Sequence, residues 1–384
     1  MTTPSLSDTR LDDAVRALRD RVDATLDATG DAFPYFYDDG WVTTPDGNWC
    51  GGHWIGLLWL AGEWTDGDDA ARFERAAREH TARMRDGMPE HTMFRGMNAH
   101  YAGFRGYDHT GDRSLFALGL DGADAMLADY RGDARQVPLG DLDIKGPEQF
   151  RGPESDHGPP GDRIGAVDNV YTALPVLWRA YRETNDPRFR DAAVSHADRH
   201  LDWYVRDDGR TWHHAVFDGE TGALERQYNE LAAGDDTCWA RGQGWHVAGL
   251  ARAYAETGAQ RYLDALRLAV SYYRAHTPDD GVPYWDFEAE VTPETPRDTS
   301  AAALVAYGLA RLPERDATAN LRTYGRDVLG SLLSDYLVTD DADPQYGGVL
   351  HGCFNAPGGY ATDNELVWTD YYVARTVAAL RGDV

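Results

Sequence analysis

The sequence predicts an all-α fold, an (α/α)6 barrel or six-hairpin toroid, with minor short β-hairpins. Amphipathic patterns with apolar residues three and four positions apart recur along the chain, whereas strand patterns are few and short. A threonine near a helix end recurs at Thr110, Thr184 and Thr257, with spacings of 74 and 73 residues, which indicates repeated helical hairpins. The segment Val167–Tyr181 is apolar on almost every face, as expected for an inner helix covered on both sides.

The charge balance is strongly acidic. The chain has 48 Asp and 16 Glu against 36 Arg and one lysine, Lys145, which gives a formal net charge of -27. This composition is typical of halophilic proteins, because molar salt shortens the Debye length to about 3 Å and screens the repulsion. The balance excludes nucleic acid and anionic membrane as partners, since both require a basic surface.

Several negative observations bound the organisation of the chain. No linker-like composition divides its 384 residues, so we expect a single domain over residues 1–384. Cys50, Cys238 and Cys353 are an odd number without CxxC spacing, which predicts buried thiols and neither a disulfide framework nor a metal site. We expect no cofactor. Residues 1–13 lack the pattern of a signal peptide, and a cytoplasmic monomer or homodimer is expected.

The first half of the chain contains three clear helical segments. Residues 5–28 form an amphipathic helix, and residues 31–46 are expected to form a loop. The segment from Asn48 to Ala61 contains an aromatic and glycine-rich start followed by an apolar helix. A further helix is expected over Met93–Tyr107. Each is expected to belong to one helical hairpin of the ring.

In the second half, the predicted helix after Val167 carries Asp168 in its first turn. Minor hairpins are expected at Thr211–Phe217 and Gly281–Glu288, where aromatic and β-branched residues lie beside turn residues. Asp298 is expected to cap the helix that follows it, together with Ser300. Since the active site of such a barrel would lie where the inner helices begin, these helix starts are the candidate site.

The stretch Gly234–Leu250 is the strongest candidate for ligand binding. Trp239 and Trp245 offer flat apolar faces. Arg241 offers a planar fork of donors suited to a carboxylate, and Gln243 offers both a donor and an acceptor. These features favour a carboxylated sugar. Trp285, on a loop before a predicted inner helix, is expected to line the same funnel.

Two roles are open for Asp168. A carboxylate in the first turn of a helix can simply stabilise the helix terminus, by about 0.3–1 kcal/mol. However, Asp168 is bracketed by Val167 and Val170, and a carboxyl group desolvated by such neighbours can remain protonated and act as an acid. The pattern alone does not decide between them.

Three motifs together resemble glycoside hydrolase family 88, the unsaturated glucuronyl hydrolases. They are Asn-Val-Tyr after Asp168, Trp-Ala-Arg-Gly-Gln-Gly-Trp over residues 239–245, and Tyr-Trp-Asp-Phe-Glu over residues 284–288 followed by Arg-Asp-Thr-Ser-Ala. The resemblance spans most of the chain. It implies an (α/α)6 barrel that removes a 4,5-unsaturated uronic acid from the non-reducing end of lyase-generated oligosaccharides. The implied reaction is hydration of the vinyl ether, with Asp168 as the proton donor.

The resemblance also implies individual contacts with the sugar. Trp54 and Trp245 would stack on it, Arg241 would bind polar groups of the uronate, and His213 would touch the ring or its hydroxyl groups. A second family aspartate is missing: the matching run is His100–Phe104, or, counted from Thr110, the position is Phe94, and neither is acidic.

We predict that Asn98 and Tyr101 replace the missing carboxylate in binding sugar hydroxyl groups, since residues three apart on a helix can share a face. The other reading of this helix face is plain core packing.

Three other functions are compatible with these patterns. An unsaturated rhamnogalacturonyl hydrolase would share the fold and a similar Arg-Gly-x-Gly-Trp run, and Gly244 favours it slightly. A catalytically inactive sugar-binding relative would keep the aromatic funnel, and the missing aspartate favours that reading. An aldose-ketose epimerase of the acylglucosamine type would need paired histidines, for which His213 and His246 are available, but the segment around Trp285 argues against it.

Overall fold

The computed structural model describes residues 6–140 and 161–383, and thirteen α-helices lie within these ranges. Their bounds are α1 Asp8–Thr29, α2 Gly51–Glu63, α3 Gly67–Gly87, α4 Phe94–Ala99, α5 Arg105–Thr110, α6 Arg113–Asp129, α7 Asn169–Thr184, α8 Pro187–Tyr204, α9 Ala240–Thr257, α10 Gln260–His276, α11 Thr299–Ala310, α12 Ala319–Ser331 and α13 Val367–Arg381. A π-helical turn at His100–Phe104 joins α4 to α5, so that the two form one interrupted inner helix. None of the described helices is long and apolar enough to cross a membrane.

The inner helices form a closed ring. In order around it, α2 contacts α4, α4 contacts α7, α7 contacts α9, α9 contacts α11, α11 contacts α13, and α13 contacts α2 again. The outer helices α3, α6, α8, α10 and α12 each pack on the inner helix that precedes them in the chain, and α1 packs on α13 and α2. This arrangement confirms the predicted (α/α)6 barrel. All twelve residues of α11 are buried, as expected for a helix covered on both sides.

The recurring threonine turn connects an inner helix to the next outer helix. The hydroxyl groups of Thr110, Thr184 and Thr257 each donate to the carbonyl oxygen four residues earlier, at 2.7 Å in all three cases. The residues that follow these threonines and adopt left-handed backbone conformations are Gly111, Asn185 and Gly258. Glycine and asparagine tolerate positive φ with little strain, so the sequence ends each helix at the same point.

Two small antiparallel sheets lie at the end of the barrel where the inner helices begin. The first has the strand order β2-β1-β6, with β1 Phe33–Tyr37, β2 Trp41–Thr44 and β6 Glu365–Leu366. The second has the order β3-β4-β5, with β3 Ile164–Ala166, β4 His214–Phe217 and β5 Leu224–Tyr228. Because β3 leads into α7 and β6 leads directly into α13, the sheets fix the entry of these two inner helices.

The structure corrects two local predictions. Residues 31–46 form the β1–β2 hairpin, not a loop: Phe33, Tyr35 and Tyr37 alternate along β1, and the Asp39-Gly40 pair supplies a turn with positive φ. Conversely, Gly281–Glu288 forms only isolated bridges, from Tyr284 to Arg297 and from Asp286 to Trp239, and no strand. The turn residues there were a correct signal, but the backbone pairs with distant segments instead of folding on itself.

Five tyrosines, which we call the tyrosine layer, fill the interior of the ring: Tyr101, Tyr171, Tyr307, Tyr371 and Tyr372. The hydroxyl oxygens of Tyr101 and Tyr372 are 2.9 Å apart, and the ring centroids of Tyr171 and Tyr372 are 6.0 Å apart. These pairs come from helices that are not neighbours in the ring, so the side chains must meet across its axis. All five are buried, and the barrel is therefore a packed core below its mouth.

Candidate active site

Asp168 is the residue immediately before α7, at the end of β3. Its main-chain carbonyl accepts hydrogen bonds from the amides of Tyr171 and Thr172 at 2.8 and 3.0 Å, which starts the helix. Its side chain makes no capping hydrogen bond and is 9% exposed. Asp168 therefore does not cap α7 through a side-chain hydrogen bond, and its buried carboxyl group is the candidate acid.

Two polar residues support the start of α7 from behind. The side-chain amide of Asn169 donates to the carbonyl of Val137, and the carbonyl of Asn169 accepts a hydrogen bond from Nε2 of His196 at 3.0 Å. Nδ1 of His196 accepts from the amide of Val137 at 3.3 Å. Both ring nitrogens of His196 are thus used in the neutral form, and burial lowers the pKa of this ring to about 4.

Tyr204 lies within electrostatic range of the candidate acid. Burial and the negative charge of Asp168 raise the pKa of the Tyr204 phenol well above its usual value. Its hydroxyl group is buried without a hydrogen-bond partner among the described residues. The surroundings of Asp168 on the side of Tyr204 are therefore both polar and buried.

His213 lies beside Asp168 because the pairing of the second sheet continues beyond the ends of β3 and β4. The amide of Val167 donates to the carbonyl of His213 at 2.8 Å, one residue beyond the β3–β4 pairing. Nδ1 of His213 faces the amides of Glu230 and Leu231, both at 3.4 Å. Because Nδ1 accepts from these amides, Nε2 carries the proton of the neutral ring.

Trp239 and Arg241 continue the site at the start of α9. The ring centroids of His213 and Trp239 are 4.6 Å apart, and the guanidinium carbon of Arg241 is 4.4 Å from the centroid of Trp239. Trp239 was part of the sequence motif but its contact with His213 was not predicted. The contact links the start of α9 to the residues beside Asp168.

Arg241 is 2% exposed, and its terminal nitrogens already have partners. They donate to the main-chain carbonyls of Cys353 and, at 2.8 Å, Phe354. One of them also lies 3.6 Å from a carboxylate oxygen of Asp298, whose pKa is raised by burial although Arg241 opposes that effect. These contacts brace the 353–354 loop against α9, and the direct fork of Arg241 on the uronate stays a prediction.

Three aromatic side chains pack together beside Arg241 and form what we call the aromatic wall: Trp49, Phe354 and Trp368. Phe354 stacks on Trp49 with ring centroids 6.1 Å apart and an angle of 15° between planes, and Trp49 also contacts Phe94 and Trp368 at 5.6 and 4.7 Å. Phe94, the first residue of α4, occupies the position counted for the second family aspartate. That position therefore carries a buried ring in contact with the aromatic wall.

Trp54 lies apart from this wall, and its stacking on the sugar stays a prediction that this position does not support. It lines a small pocket on the outer side of α2 with Leu18 and Val22 of α1. Trp49 precedes α2, in the 3-10 turn Asn48–Cys50, whereas Trp54 lies in the first turn of α2, so the two side chains leave the chain in different directions. The structure turns Trp49 toward the mouth of the barrel and Trp54 toward the outer helices.

Gln243 is also turned outward, and its predicted contact with the substrate stays a prediction that this direction does not support. Its amide nitrogen donates to the carbonyls of Gly209 and Ala269 at 2.8 and 3.4 Å, and its oxygen accepts from the hydroxyl of Thr211 at 3.1 Å. Ala269 belongs to the outer helix α10. The amide group therefore joins α9 to its outer neighbours.

Asn98 and Tyr101 likewise have partners within the protein, so core packing is the better reading of this helix face. The side-chain oxygen of Asn98 accepts from the amide of Gly52 at 2.8 Å. A Cβ atom on Gly52 would come within 2.6 Å of Asn98, so this crossing of α2 and α4 requires glycine. Tyr101 lies deeper, in the tyrosine layer, and bonds to Tyr372.

Trp245 and Trp285 remain predictions. Trp245 is buried one turn below Arg241 and stacks on Tyr171 with centroids 5.7 Å apart, so it lies between the site and the tyrosine layer. Trp285 is partly exposed, and its main-chain carbonyl accepts from the amide of Ala240 at 3.0 Å. Both are next to the start of α9. Trp245 lies deeper in the barrel than Arg241, and Trp285 lies nearer to its mouth.

His213, His214 and Glu230 bring potential metal-ligand atoms within 4.8 Å of one another. However, the two imidazole rings lie against each other, with centroids 3.8 Å apart and 30° between their planes. Ring lone pairs lie in the ring plane, so rings in this arrangement do not converge well on one ion. The geometry favours hydrogen bonding, and Nδ1 of His214 lies 3.4 Å from a carboxylate oxygen of Glu230.

A family model described as Glycosyl Hydrolase Family 88 matches residues 166–381, from the end of β3 to the last residue of α13. The chain belongs to this family. The matched part includes Asp168, His213 and Arg241, so most residues of the candidate site lie within it.

Similar proteins and structures agree with the family. The chain is 30% identical over 281 residues to the unsaturated glucuronyl hydrolase of Bacillus sp. strain GL1, covering 71% of this chain and 70% of that protein. It is 28% identical over 268 residues to the unsaturated chondroitin disaccharide hydrolase of Streptococcus pneumoniae strain ATCC BAA-255 / R6, covering 66% and 67%. The crystal structure of the Bacillus enzyme matches with a TM-score of 0.85 at 26% identity over 97% of both chains. The predicted family and glycoside hydrolase class are thereby confirmed.

Proposed function

We propose that this family 88 protein removes a 4,5-unsaturated uronic acid from the non-reducing end of oligosaccharides produced by polysaccharide lyases. The relatives named as unsaturated glucuronyl and unsaturated chondroitin disaccharide hydrolases support this substrate class. Within the chain, one observation carries the proposal: the carboxyl group of Asp168 is buried at the start of an inner helix and is not used as a cap.

The proposed chemistry is hydration of the vinyl ether. Asp168 donates a proton to C4 and water adds to C5, so the C4–C5 double bond is replaced by a C4–H and a C5–O bond. The carboxylate recovers its proton from the attacking water. The hemiketal at C5 then opens by breaking its bond to the ring oxygen, and the hemiacetal left at C1 releases the linked sugar. The balance requires one water and no redox partner.

We propose that His213 and Trp239 contact the unsaturated sugar next to Asp168. Nε2 of His213 would donate to a ring oxygen or hydroxyl group, while Trp239 and the wall around Trp49 would offer apolar faces. Trp245 would form the floor and Trp285 the rim. Arg241 would act as a positioning residue through the 353–354 loop.

A catalytically inactive sugar-binding relative is the second candidate function. The observation that favours it is the absence of an acidic residue at either position counted for the second aspartate, the run His100–Phe104 or Phe94, which packs on Trp49. Such a protein would bind the unsaturated sugar without consuming it. The two candidates are therefore distinguished by turnover and not by binding.

Incubation with lyase-generated unsaturated disaccharides in molar KCl tests the proposal. Hydration removes the conjugated double bond, so ultraviolet absorbance should fall with time and a free reducing sugar should appear. Asp168→Asn provides the control, because it preserves shape but cannot donate the proton. Binding by calorimetry without any loss of absorbance would favour the inactive relative instead.

Three further properties remain predictions: a single domain, a cytoplasmic location and a monomeric or homodimeric state. The continuous inner ring, in which α13 contacts α2, supports the first. Light scattering in high salt measures the oligomeric state. Limited proteolysis tests the domain prediction, since a single domain should resist cleavage into stable halves.

A further inference from the structure

Three inner helices share a Tyr-x-x-x-Arg pattern. The pairs are Tyr101 with Arg105, Tyr307 with Arg311, and Tyr371 with Arg375. Four residues are about one helical turn, so each arginine lies on the same face as its tyrosine, one turn closer to the C-terminal end of the helix. Since the tyrosines belong to the tyrosine layer, the arginines form an arginine layer beneath it, at the end of the barrel opposite the candidate active site.

Some cations at this end have carboxylate partners. A nitrogen of Arg105 lies 3.4 Å from Glu63, and Arg252 of α9 lies 2.6 Å from Glu256. By contrast, no ion pair is found for Arg311 or Arg375 among the described residues. The guanidinium carbon of Arg311 lies 4.5 Å from the ring centroid of Tyr307.

Arg375 is the decisive member of the arginine layer. It is only 4% exposed, and its Nε and Nη1 atoms are buried without a hydrogen-bond partner in residues 6–140 and 161–383. Two buried guanidinium nitrogens without an acceptor are costly, because they have lost water, and the negative charge of Glu63 acts on Arg375 only at a distance and without a hydrogen bond. An acceptor placed at these two nitrogens would offset that cost.

The neighbours of Arg375 experience a positive potential. Burial opposes ionisation of Tyr307, yet the charges of Arg311 and Arg375 hold its pKa at about 8, below the usual value for a phenol. Burial, followed by the charges of Arg252 and other arginines including Arg375, lowers the pKa of His100. This is a local reversal of sign in a chain whose formal net charge is -27.

We propose that the arginine layer binds one small inorganic anion, held by Arg311 and Arg375 at the C-terminal end of the barrel. Halide and tetrahedral oxyanions share the required chemistry, a compact negative charge that accepts several N–H donors. The anion would join α11 to α13, which are neighbours in the ring. Because it binds the folded state, it would stabilise the protein by mass action. This site is independent of the proposed hydrolase activity.

Thermal unfolding at constant ionic strength tests the proposal. The protein is held in potassium gluconate, and chloride or phosphate replaces gluconate in separate titrations from 0 to about 100 mM. We expect a saturable rise in Tm with at least one anion, and the two arms distinguish halide from oxyanion. In Arg375→Gln the half-saturating concentration should rise at least tenfold. Arg85→Gln, which removes an exposed arginine near Asp86, is the matched control and should titrate like wild type.

Two results would overturn the proposal: no saturable effect of either anion on the wild type, or unchanged titration of Arg375→Gln. If Arg375→Gln does not fold, crystals of the wild type grown in bromide or in selenate provide the second test. An anomalous peak between Arg311 and Arg375 is expected in one of them. Absence of a peak there from both crystals would contradict the site.

Discussion

The amide of Val167 donates a hydrogen bond to the carbonyl oxygen of His213, with 2.8 Å between the two atoms. This bond extends the β3–β4 pairing by one residue, to Val167, which immediately precedes Asp168. The relative position of the candidate acid and the candidate sugar-binding histidine is therefore set by main-chain pairing. A site fixed in this way is preorganised, which is what general acid catalysis requires.

The two tryptophans of the Asn48–Trp54 segment should have separate effects. Trp49→Leu should raise KM about fivefold, as expected for the loss of about 1 kcal/mol of aromatic stacking. Trp54→Leu should lower the free energy of unfolding by about 1–3 kcal/mol and leave KM unchanged, since this side chain packs on α1. Steady-state kinetics and urea unfolding measure both. If Trp54→Leu changed KM and left the free energy of unfolding unchanged, the packing of Trp54 against α1 and away from the site would be contradicted.

This pair illustrates how much of the site the sequence could predict. The aromatic-rich start of α2 and the Trp239–Trp245 motif were correct signals for the elements that form the site. The side-chain directions were not predictable, because a helix that is apolar on every side has no amphipathic face to reveal which residues point inward. The direction of the Gln243 side chain was not predictable for this reason, and Phe354 was missed because its loop is distant in the sequence and joins the site through contacts with Arg241, Trp49 and Trp368.

Arg241→Lys should destabilise the protein as well as impair catalysis. The ammonium group cannot reach both the Cys353 and Phe354 carbonyls in the geometry of the guanidinium fork, and it leaves the buried Asp298 poorly compensated. We expect a loss of about 3 kcal/mol in the free energy of unfolding.

A direct role in binding the uronate would give a different result for Arg241→Lys. Unfolding stability would then be unchanged, while affinity for an unsaturated uronate would fall and affinity for a neutral sugar would be preserved. Urea unfolding and calorimetry with both sugars separate the two roles. Arg190→Lys, at an exposed arginine beside Asp191, controls for the substitution itself.

Acid should destabilise the protein through His196. The pKa of His196 is about 4 in the folded state because of burial, against about 6.5 when unfolded, so the unfolded chain binds more protons between these values. The contribution of the neutral ring is fully present above pH 6.5 and is lost as pH falls toward 4, by about 3 kcal/mol in total. Urea unfolding from pH 7.5 to 4.5 measures it.

His196→Gln should flatten this dependence in the acid range. His91→Gln serves as the comparison, because His91 is exposed and its pKa is raised by Asp129, which gives the opposite sign. An unchanged slope in His196→Gln would mean that other groups dominate acid unfolding.

The fold was more predictable than the site because the helical hairpins repeat. Thr110, Thr184 and Thr257 each end an inner helix with the same hydroxyl contact, and in each case the next residue adopts a left-handed backbone conformation. One local motif therefore indicates the architecture three times. The β1–β2 hairpin was missed although Asp39-Gly40 was visible as a turn. Its strands are short, and they are stabilised by pairing with β6 from the far end of the chain.

Salt should stabilise the protein steeply. The formal net charge of -27 makes the folded state repel itself in dilute buffer, and cations at molar concentration screen this repulsion. Melting temperature should rise continuously from dilute buffer to molar KCl. Equal concentrations of sucrose should not reproduce the rise, and a flat profile in KCl would show that the acidic surface has no such role.

The most direct test of the central claim is the reaction of an unsaturated disaccharide in D2O, followed by nuclear magnetic resonance. If Asp168 protonates C4 during hydration, the released uronic acid carries one solvent-derived deuterium at C4. Asp168→Asn should then lower turnover by about 10²- to 10⁴-fold while substrate binding is preserved. Release of the linked sugar with the C4–C5 double bond intact, or turnover of Asp168→Asn within a few-fold of wild type, would contradict the account.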